Sequence, residues 1–575
     1  MRRGLLIGLL VVLTVACVIG GAMAQERIQR LPREETLYVM DYWGVPSTWN
    51  PLAAPPDWPV NTPERVLIYE CLFAFNMLTG DLDPLLATRY EWVDDLTLRV
   101  YLDEKAHWQN GEPLTSEDVV YSFELAKRYP LDYSDFWDYT DSVTALDDAT
   151  IEFKLKADNS NRLLLTHQLG FTRIVPKSII SKVEEENDYD ISKIRQWNNQ
   201  DPIGSGPYRL YDFSDQRIIL RRYEDYWGNA NWGKPAPTYI VHPIYKSNDA
   251  ANRAFEQGEL DVTQTFIPQV WEMFDKGNIS TWYKSEPYHV PASMPSLFLN
   301  LTKKPMDDPE FRRALAHAID YERIAQLAMT RYSEPMQPGL ILPFGSEAQY
   351  FDDADVEKYG WEYNPEKAEQ ILQEAGYIKG PDGKYRYPDG SPIGTLIVEC
   401  PYGWSDWMVS LEIVAQCAQR IGLDIRTEFP EAPVRYDRML HGSFDMTMNT
   451  PGGQASPAQP WLRFRDAIFS RGVPDVGEMA FRNWGRYRNP EADEIIAKIP
   501  SMTDEEEILA AYKELNVMFM KDVPVIPLVY RPWKFYTYSE RYWKGFPDET
   551  NPYAPPQIAI DGAGVRTLFN IEPVK

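Results

Sequence analysis

Residues able to do covalent chemistry are scattered along this chain. Its six His residues lie far apart in sequence, and neither the HExxH nor the GxSxG pattern of hydrolases occurs. Aspartate and glutamate are so abundant that a pair of them gives no specific indication of glycoside hydrolysis. The sequence therefore favours a protein that binds rather than one that catalyses, and we expect neither a metal nor a cofactor.

Tryptophan is the residue type that stands out, with 18 copies in 575 residues. An indole presents a flat apolar face with few rotors, and the C–H face of a β-linked sugar ring stacks well on it. Core packing is the other common role of a tryptophan, and the sequence leaves both roles open. The candidates in loop-like contexts are Trp43, Trp49, Trp58, Trp404, Trp407, Trp461 and Trp484.

Length and composition predict a large folded protein with more than one lobe, because 575 residues exceed what one hydrophobic core holds. Apolar residues make up 44% and charged residues 25% of the chain, without a long polar tract. The 85 acidic residues against 58 basic ones give a net charge of -27. Such a charge repels phosphate backbones and anionic headgroups, which argues against nucleic-acid or lipid binding.

The first residues have the pattern of a secretion signal. Arg2 and Arg3 precede the apolar run 5–19, and Ala22-Met23-Ala24 is a small-x-small cleavage site. We therefore expect residues 1–24 to be a signal peptide. No later segment has the apolar length needed to span a bilayer, so a periplasmic or extracellular location is expected.

The four cysteines leave two alternatives open. Cys17 is a candidate lipid-modified residue if cleavage occurs earlier in the signal, although Thr14 fits such a site poorly. Cys71, Cys400 and Cys417 lack metal-ligand spacing. They are expected as buried small side chains, with a Cys400–Cys417 disulfide as the alternative.

Strand and helix signals alternate along the chain. Residues 36–40 and 96–102 have the two-residue alternation of half-buried strands. Helix starts are predicted at Thr115, which has Asp118 at capping-box spacing, and at Asp308-Pro309 and Asn364-Pro365; a further helix ends before Gly422. Pro/Gly clusters at 201–208 and 286–295 are candidate crossings between lobes.

The segment 95–123, DLTLRVYLDEKAHWQNGEPLTSEDVVYSF, closely resembles the signature of family 5 extracellular solute-binding proteins. These are the dipeptide, oligopeptide, nickel and oligosaccharide receptors of ATP-driven importers. Further blocks agree in order, at 202–208, 223–233 with 258–261, 297–320 and 363–377. The resemblance thus covers most of the chain after residue 24.

The resemblance implies an α/β, two-lobe periplasmic-binding-protein fold (type II, large cluster C form). It places lobe I at 25–72, 200–294 and 530–575, an inserted subdomain of that lobe at 73–199, and lobe II at 295–529. The run 525–530 would be a third crossing between the lobes. A monomer that delivers its ligand to importer permease subunits is expected.

The ligand class is predicted from one departure from the family pattern. Peptide-binding members carry a segment resembling Trp-x-x-Asp-Tyr-x-Asp-Pro, whose aspartate pairs with the peptide amine. The corresponding stretch 445–461 reads DMTMNTPGGQASPAQPW, in which Asn449 and Gln454 are neutral. Amides donate and accept at once, as hydroxyl groups do. This departure, together with 482–490 (RNWGRYRNP), resembles the branch that binds cello-oligosaccharides and related β-glucosides.

A β-linked oligosaccharide such as cellobiose or laminaribiose is therefore the expected ligand. An oligopeptide or dipeptide is the alternative within the same family, and a secreted glycoside hydrolase is a remote one. Nickel or haem capture is disfavoured because His107, His167, His242, His289, His317 and His441 are dispersed.

Overall fold

The computed structural model describes residues 31–40, 44–53, 56–62, 65–276, 279–453, 455–532, 534–556 and 562–575. The predicted signal peptide, Cys17, Trp43 and Gln454 lie outside these residues. Among the described helices, none is long and apolar enough to cross a bilayer. Cys71, Cys400 and Cys417 are buried, and Cys400 and Cys417 are free thiols, so the alternative Cys400–Cys417 disulfide is absent from the described part of the chain.

Sheet I is built around the strand Thr36–Met40, the first of the predicted strands. This strand pairs in parallel with Tyr239–Pro243 on one side and Val262–Thr263 on the other, and antiparallel strands complete both edges. In spatial order the described strands of sheet I are Ile279–Thr281, Thr537–Ser539, Val262–Thr263, Thr36–Met40, Tyr239–Pro243, Arg217–Arg222 and Tyr208–Phe213.

Sheet II lies further along the chain and also mixes directions. Leu396–Glu399 pairs in parallel with Ile425–Glu428 and Met446–Asn449, while Ser296–Leu299 runs antiparallel between Met446–Asn449 and Val525–Pro527. The described order is Ile425–Glu428, Leu396–Glu399, Met446–Asn449, Ser296–Leu299 and Val525–Pro527.

Sheet III is antiparallel and contains the second predicted strand, observed as Thr97–Leu102. Its described strands are, in order, Ala87–Trp92, Thr97–Leu102, Thr150–Leu155 and Thr140–Asp147. Smaller strand pairs join Phe73–Phe75 to Leu82–Pro84, Ile378–Lys379 to Tyr385–Arg386, and Trp543–Lys544 to Glu572–Pro573. Separate groups of buried apolar residues pack around sheets I and III, and a larger one surrounds sheet II and extends into sheet I.

The helices cover the sheets and begin where the capping residues predicted. Thr115 and Asp118 form the expected capping box, while the Asp308 and Asn364 side chains accept backbone N–H groups at their helix starts. The described α-helices are Ser116–Arg128, Phe136–Tyr139, Arg162–Phe171, Lys177–Glu186, Ile191–Ile194, Asn229–Trp232, Asn248–Gln257, Pro309–Ala318, Tyr321–Arg323, Asp353–Tyr359, Pro365–Glu374, Ser405–Ile421, Ala432–His441, Trp461–Ile468, Pro490–Lys498, Glu505–Asp522 and Thr567–Asn570.

Two chain segments cross side by side between sheets I and II. Ser293 forms an antiparallel bridge with Arg531, and the backbone N–H groups of Ala292 and Ser293 both donate to the Arg531 carbonyl. The chain leaves sheet II at Pro527 and enters sheet I at Thr537. The observed crossing, 528–536, therefore overlaps the second half of the predicted run 525–530 and continues beyond it.

The cluster at 201–208 has a different place from the one predicted. It leads into the strand Tyr208–Phe213 of sheet I, and the N–H of Gly206 donates to the Ile68 carbonyl. A Cβ on Gly204 would lie 1.8 Å from the Ile68 carbonyl oxygen. Glycine is required here by the close approach of two backbones, whereas Gly111 has a positive φ of 88°, the left-handed conformation that glycine adopts in turns.

Candidate functional site

Trp49 and Trp58 lie together in the core beside sheet I. Trp49 is 1% exposed, and its indole N–H donates to the Trp58 carbonyl at 3.0 Å. The Trp58 ring packs against His242 with centroids 4.5 Å apart. Both indoles are packed as core residues are. Among the described residues, we find neither indole face open to a ligand.

Trp461 and Trp484 occupy separate positions in the core around sheet II. Trp461, which begins the helix Trp461–Ile468, is 1% exposed and donates its indole N–H to the Ile496 carbonyl at 2.8 Å. Trp484 packs edge-on against Phe298, with centroids 4.9 Å apart. One turn after Trp461, the Arg465 guanidinium lies 5.5 Å from its ring centroid. The Trp461 ring therefore packs against the Arg465 guanidinium and supports it.

Trp404 and Trp407 meet at the start of the helix Ser405–Ile421, with ring centroids 4.8 Å apart. Trp407 is buried, and its indole N–H has no hydrogen-bond partner among the described residues, while Trp404 is half-buried. Beside them, the Asn248 side chain donates to Ser405 Oγ at 3.0 Å. These two tryptophans thus lie where elements of sheet I meet elements of sheet II.

An ion pair completes this contact, which we name the Arg531 junction. Asp406 Oδ2 accepts from Arg531 Nε at 2.7 Å, and the Asp406 side chain is 1% exposed. Arg531 belongs to the crossing segment, and Asp406 belongs to the helix Ser405–Ile421. The ion pair therefore joins that helix to the crossing segment. The Arg531 junction comprises Asn248, Ser405, Asp406 and Arg531.

Asn449 ends the strand Met446–Asn449 opposite Ser296 and is half-buried. Its side chain makes no hydrogen bond with the described residues. The buried Arg435 holds the strand just before it, donating to Thr447 Oγ1 at 3.1 Å and to the Met448 carbonyl. Open α/β sheets bind ligands at the carboxyl ends of their parallel strands. Asn449 lies at such a strand end and is therefore suitably placed to contact a ligand.

A cavity of about 190 Å³ lies between the part of the chain that carries sheet III and the helix Trp461–Ile468. The segment 132–135 and the helix Arg162–Phe171 form one wall, and Arg465 forms the other. The lining residues are Asp132, Tyr133, Asp135, Leu164, His167, Gln168, Phe171 and Arg465.

Two polar contacts close this cavity, and we name them together the Arg465 junction. Arg465 Nη1 lies 2.8 Å from Asp135 Oδ2, with both side chains mostly buried. His167 Nδ1 lies 2.8 Å from Ser456 Oγ, in the segment that follows Asn449. Arg465 Nε also binds Asp466 at 2.8 Å. Burial opposes the charge of Arg465, but the two carboxylates outweigh it and raise its pKa.

The helix Arg162–Phe171 supplies a flat wall with neutral polar atoms. His167 stacks on Phe171 at 4.1 Å, with ring planes 18° apart. Burial, aided by the Arg465 charge, lowers the pKa of His167 to about 3, so its imidazole is neutral at physiological pH. Gln168 is 5% exposed, and its Oε1 accepts from Thr172 at 2.8 Å. The Nε2 atoms of His167 and Gln168 have no hydrogen-bond partner among the described residues.

Asp132 is the unpaired charge of the cavity. It is exposed, yet the surrounding protein atoms displace enough water to raise its pKa, an effect that the Arg173 charge partly offsets. No ion pair joins Asp132 to a cation in the described part of the chain. In contrast, the Tyr133 hydroxyl is occupied, donating to the Ser122 carbonyl at 2.7 Å.

None of the cavity-lining residues was identified from the sequence. Helix Arg162–Phe171 and Arg465 are separated by about three hundred positions, and no local pattern pairs them. The one available signal was the polar pair His167-Gln168 inside an otherwise apolar helix capped by Asn161. Within the described residues no group of His, Cys, Asp and Glu could hold a metal ion.

Residues 81–465 match the family model of bacterial extracellular solute-binding proteins, family 5. The chain belongs to this family. Family 5 proteins are transport receptors and not enzymes, so the chain is a solute-binding receptor of an ABC importer that takes a small-molecule ligand. The predicted two-lobe α/β fold is likewise confirmed.

Solved and curated family 5 receptors resemble the chain over nearly its whole length. A periplasmic oligopeptide-binding protein of Thermotoga maritima, solved with mannohexaose bound, is 32% identical with a TM-score of 0.86, covering 94% of this chain and 99% of its own. The periplasmic oligopeptide-binding protein OppA of Escherichia coli is 26% identical over 500 residues, 80% of this chain and 83% of its own. AppA of Bacillus subtilis, solved with a nonapeptide, has the same fold, with 20% identity, a TM-score of 0.75 and coverage of 94% and 99%.

Proposed function

We propose that this receptor captures a β-linked oligosaccharide, such as cellobiose or laminaribiose, in the cavity at the Arg465 junction. The observation that carries the proposal is the wall formed by His167 stacked on Phe171, next to the unpartnered Nε2 atoms of His167 and Gln168. A sugar ring fits such a wall because its C–H face is apolar and its hydroxyl groups donate and accept. The relative solved with mannohexaose supports the same ligand class.

Closure of two lobes on the ligand is the proposed mechanism, with lobe I at 25–72, 200–294 and 530–575, its subdomain at 73–199 and lobe II at 295–529. The described strands of sheets I, III and II fall within these three sets of residues, respectively. A ligand that bridges the cavity walls stabilises the closed state by its extra contacts there. The permease then distinguishes loaded from empty receptor by its shape.

Among the tryptophans and amides named from the sequence, Trp404 and Asn449 keep some accessible surface but do not line this cavity, so they stay proposals for contacts with a ligand that extends beyond it. Gln454 and Trp43 stay proposals from the sequence. The surroundings of Trp49, Trp58, Trp407, Trp461 and Trp484 favour packing roles, in which they hold the ligand-facing elements in place.

A peptide is the second candidate, and one observation favours it. The unpaired carboxylate of Asp132 lines the cavity and could pair with the amine of a peptide. Several relatives are oligopeptide-binding proteins. Asn449 lies at the place where the peptide-binding pattern has its acidic segment, which counts against this candidate.

Isothermal titration with cellobiose, laminaribiose, mannohexaose and a tripeptide tests the proposal. We expect at least one sugar to bind, and at a concentration one hundred times its Kd it should stabilise the fold by about 2.7 kcal/mol in a thermal-shift assay. Binding of the tripeptide and of none of the sugars would show that the ligand is a peptide and not an oligosaccharide.

N-terminal sequencing of the exported protein would test cleavage after residue 24 against lipid attachment at Cys17.

A further inference from the structure

The charges around the cavity do not balance. Its lining contains two carboxylates, Asp132 and Asp135, and one guanidinium, Arg465. That guanidinium is already bound at 2.8 Å to Asp135 and at 2.8 Å to Asp466. Its charge is therefore already shared, and Asp132 is compensated only in part, by Arg173, which does not line the cavity.

Asp132 is placed to act on a ligand. It shares the cavity with Gln168, whose side chain is 95% covered although its Nε2 has no partner among the described residues. The Nε2 of this amide keeps accessible surface in the cavity, so it can donate to a polar group that enters there. Surrounding protein atoms raise the pKa of Asp132 although its side chain is exposed, so an arriving cation would favour the charged form of this carboxylate.

We infer that the unit inserted into this cavity carries a protonated amine, so that the preferred ligand is an oligosaccharide containing an amino sugar. This inference rests on the proposed function and narrows it. The ammonium group would pair with Asp132, while the hydroxyl groups of the same ring would meet Gln168 Nε2 and His167 Nε2. Sugars that carry carboxylates would be rejected, because a third negative group would lie beside Asp132 and Asp135, while Arg465 is already paired with Asp135 and Asp466.

Two disaccharides with the same linkage test the inference. The β-1,4-linked glucosamine disaccharide and cellobiose differ by an ammonium group in place of a hydroxyl group on each ring. In titrations at pH 6 we expect the glucosamine disaccharide to bind about tenfold more tightly, the usual range for a hydrogen bond to a charged group. In Asp132→Asn the two affinities should become equal within about twofold.

Asp141→Asn is the matched control, since Asp141 is exposed and does not line the cavity. It removes the same charge from the same part of the chain and should keep the tenfold preference. Melting of each variant without ligand establishes that it is folded, and the exposed position of Asp132 makes its substitution mild.

The outcomes distinguish a failure of the amine inference from a failure of the proposed oligosaccharide function. Equal binding of the two disaccharides to the unmodified protein, or an unchanged preference in Asp132→Asn, would overturn the amine inference and leave the oligosaccharide function intact. Binding of a tripeptide with neither disaccharide bound would overturn both. A preference that Asp141→Asn also abolishes would show general charge attraction and would likewise overturn the role of Asp132.

Discussion

The Arg531 junction and the Arg465 junction both join the part of the chain that carries sheets I and III to the part that carries sheet II, but they differ in burial. At the Arg531 junction Arg531 is 18% exposed, but its partner Asp406 is only 1% exposed and packs beside the crossing segments. At the Arg465 junction the ion pair keeps 16% and 19% of its side-chain surface accessible, and a cavity lies next to it. A contact at the crossing moves least when two lobes rotate, whereas a contact beside a cavity can open.

This difference in burial predicts different roles for the two junctions. We expect the Arg531 junction to maintain the fold around the crossing and, under the proposed closure of the lobes, the Arg465 junction to set how readily the receptor closes. Substitutions at the first should therefore change mainly the free energy of unfolding. Substitutions at the second should change mainly ligand affinity.

The largest effect is expected from Arg531→Met. This change leaves the Asp406 carboxylate buried without its partner, which typically costs about 3–5 kcal/mol of unfolding free energy. Urea denaturation followed by tryptophan fluorescence measures the loss. Arg488→Met is the control, because Arg488 and Asp475 form an exposed pair at 2.8 Å that should be worth about 0–1 kcal/mol. Equal losses in the two variants would contradict the structural role of the Arg531 junction.

A pH-dependent effect is expected at the Arg465 junction. The pKa of His167 is lowered to about 3 in the folded protein from an ordinary value of 6.5. Between these values the unfolded chain binds a proton that the folded chain does not, so stability falls as the pH drops below about 6.5. The slope contributed by this one group reaches about 1.4 kcal/mol per pH unit.

His167→Gln isolates that contribution, since glutamine does not titrate but can still bond to Ser456. Unfolding free energies of the variant and the unmodified protein should differ by a constant above about pH 7.5. Below pH 6.5 the difference should shift steadily in favour of the variant. Parallel curves from pH 8 to pH 4 would mean that His167 is not buried as a neutral group.

The elements of this fold were largely predictable because their signals are local. Thr115 with Asp118, Asp308 and Asn364 each start a helix through a side chain that bonds within three residues. The resemblance of 95–123 then indicated the family. The reason for glycine at 204 was not predictable, since the approaching Ile68 carbonyl is remote in sequence.

The candidate site was not predictable for the opposite reason. Its walls come from 132–135, from Arg162–Phe171 and from Arg465, which only tertiary packing brings together. The tryptophan hypothesis used composition and loop context, but large aromatic side chains gain most from full burial. Trp461 illustrates this, because it lies beneath Arg465 and bonds to the Ile496 carbonyl.

A smaller effect is expected from Asp135→Asn, which breaks the ion pair that bridges the cavity. Arg465 keeps Asp466 as a partner at 2.8 Å, so no buried charge is stranded and unfolding should change by less than about 1 kcal/mol. The closed state should lose about 1 kcal/mol of stability relative to the open state. Ligand binding should then weaken about fivefold, because affinity depends on the fraction of receptor that can close.

Titration of the ligand that binds most tightly, together with small-angle scattering of the unliganded variant, measures both consequences. The radius of gyration without ligand should rise or stay equal, and the affinity should fall. Ser456→Ala removes the companion hydrogen bond to His167 and should act in the same direction by a smaller amount. If Asp135→Asn reduced the unfolding free energy as much as Arg531→Met while leaving affinity unchanged, the two junctions would not differ in function, because both would then serve only to hold the fold together.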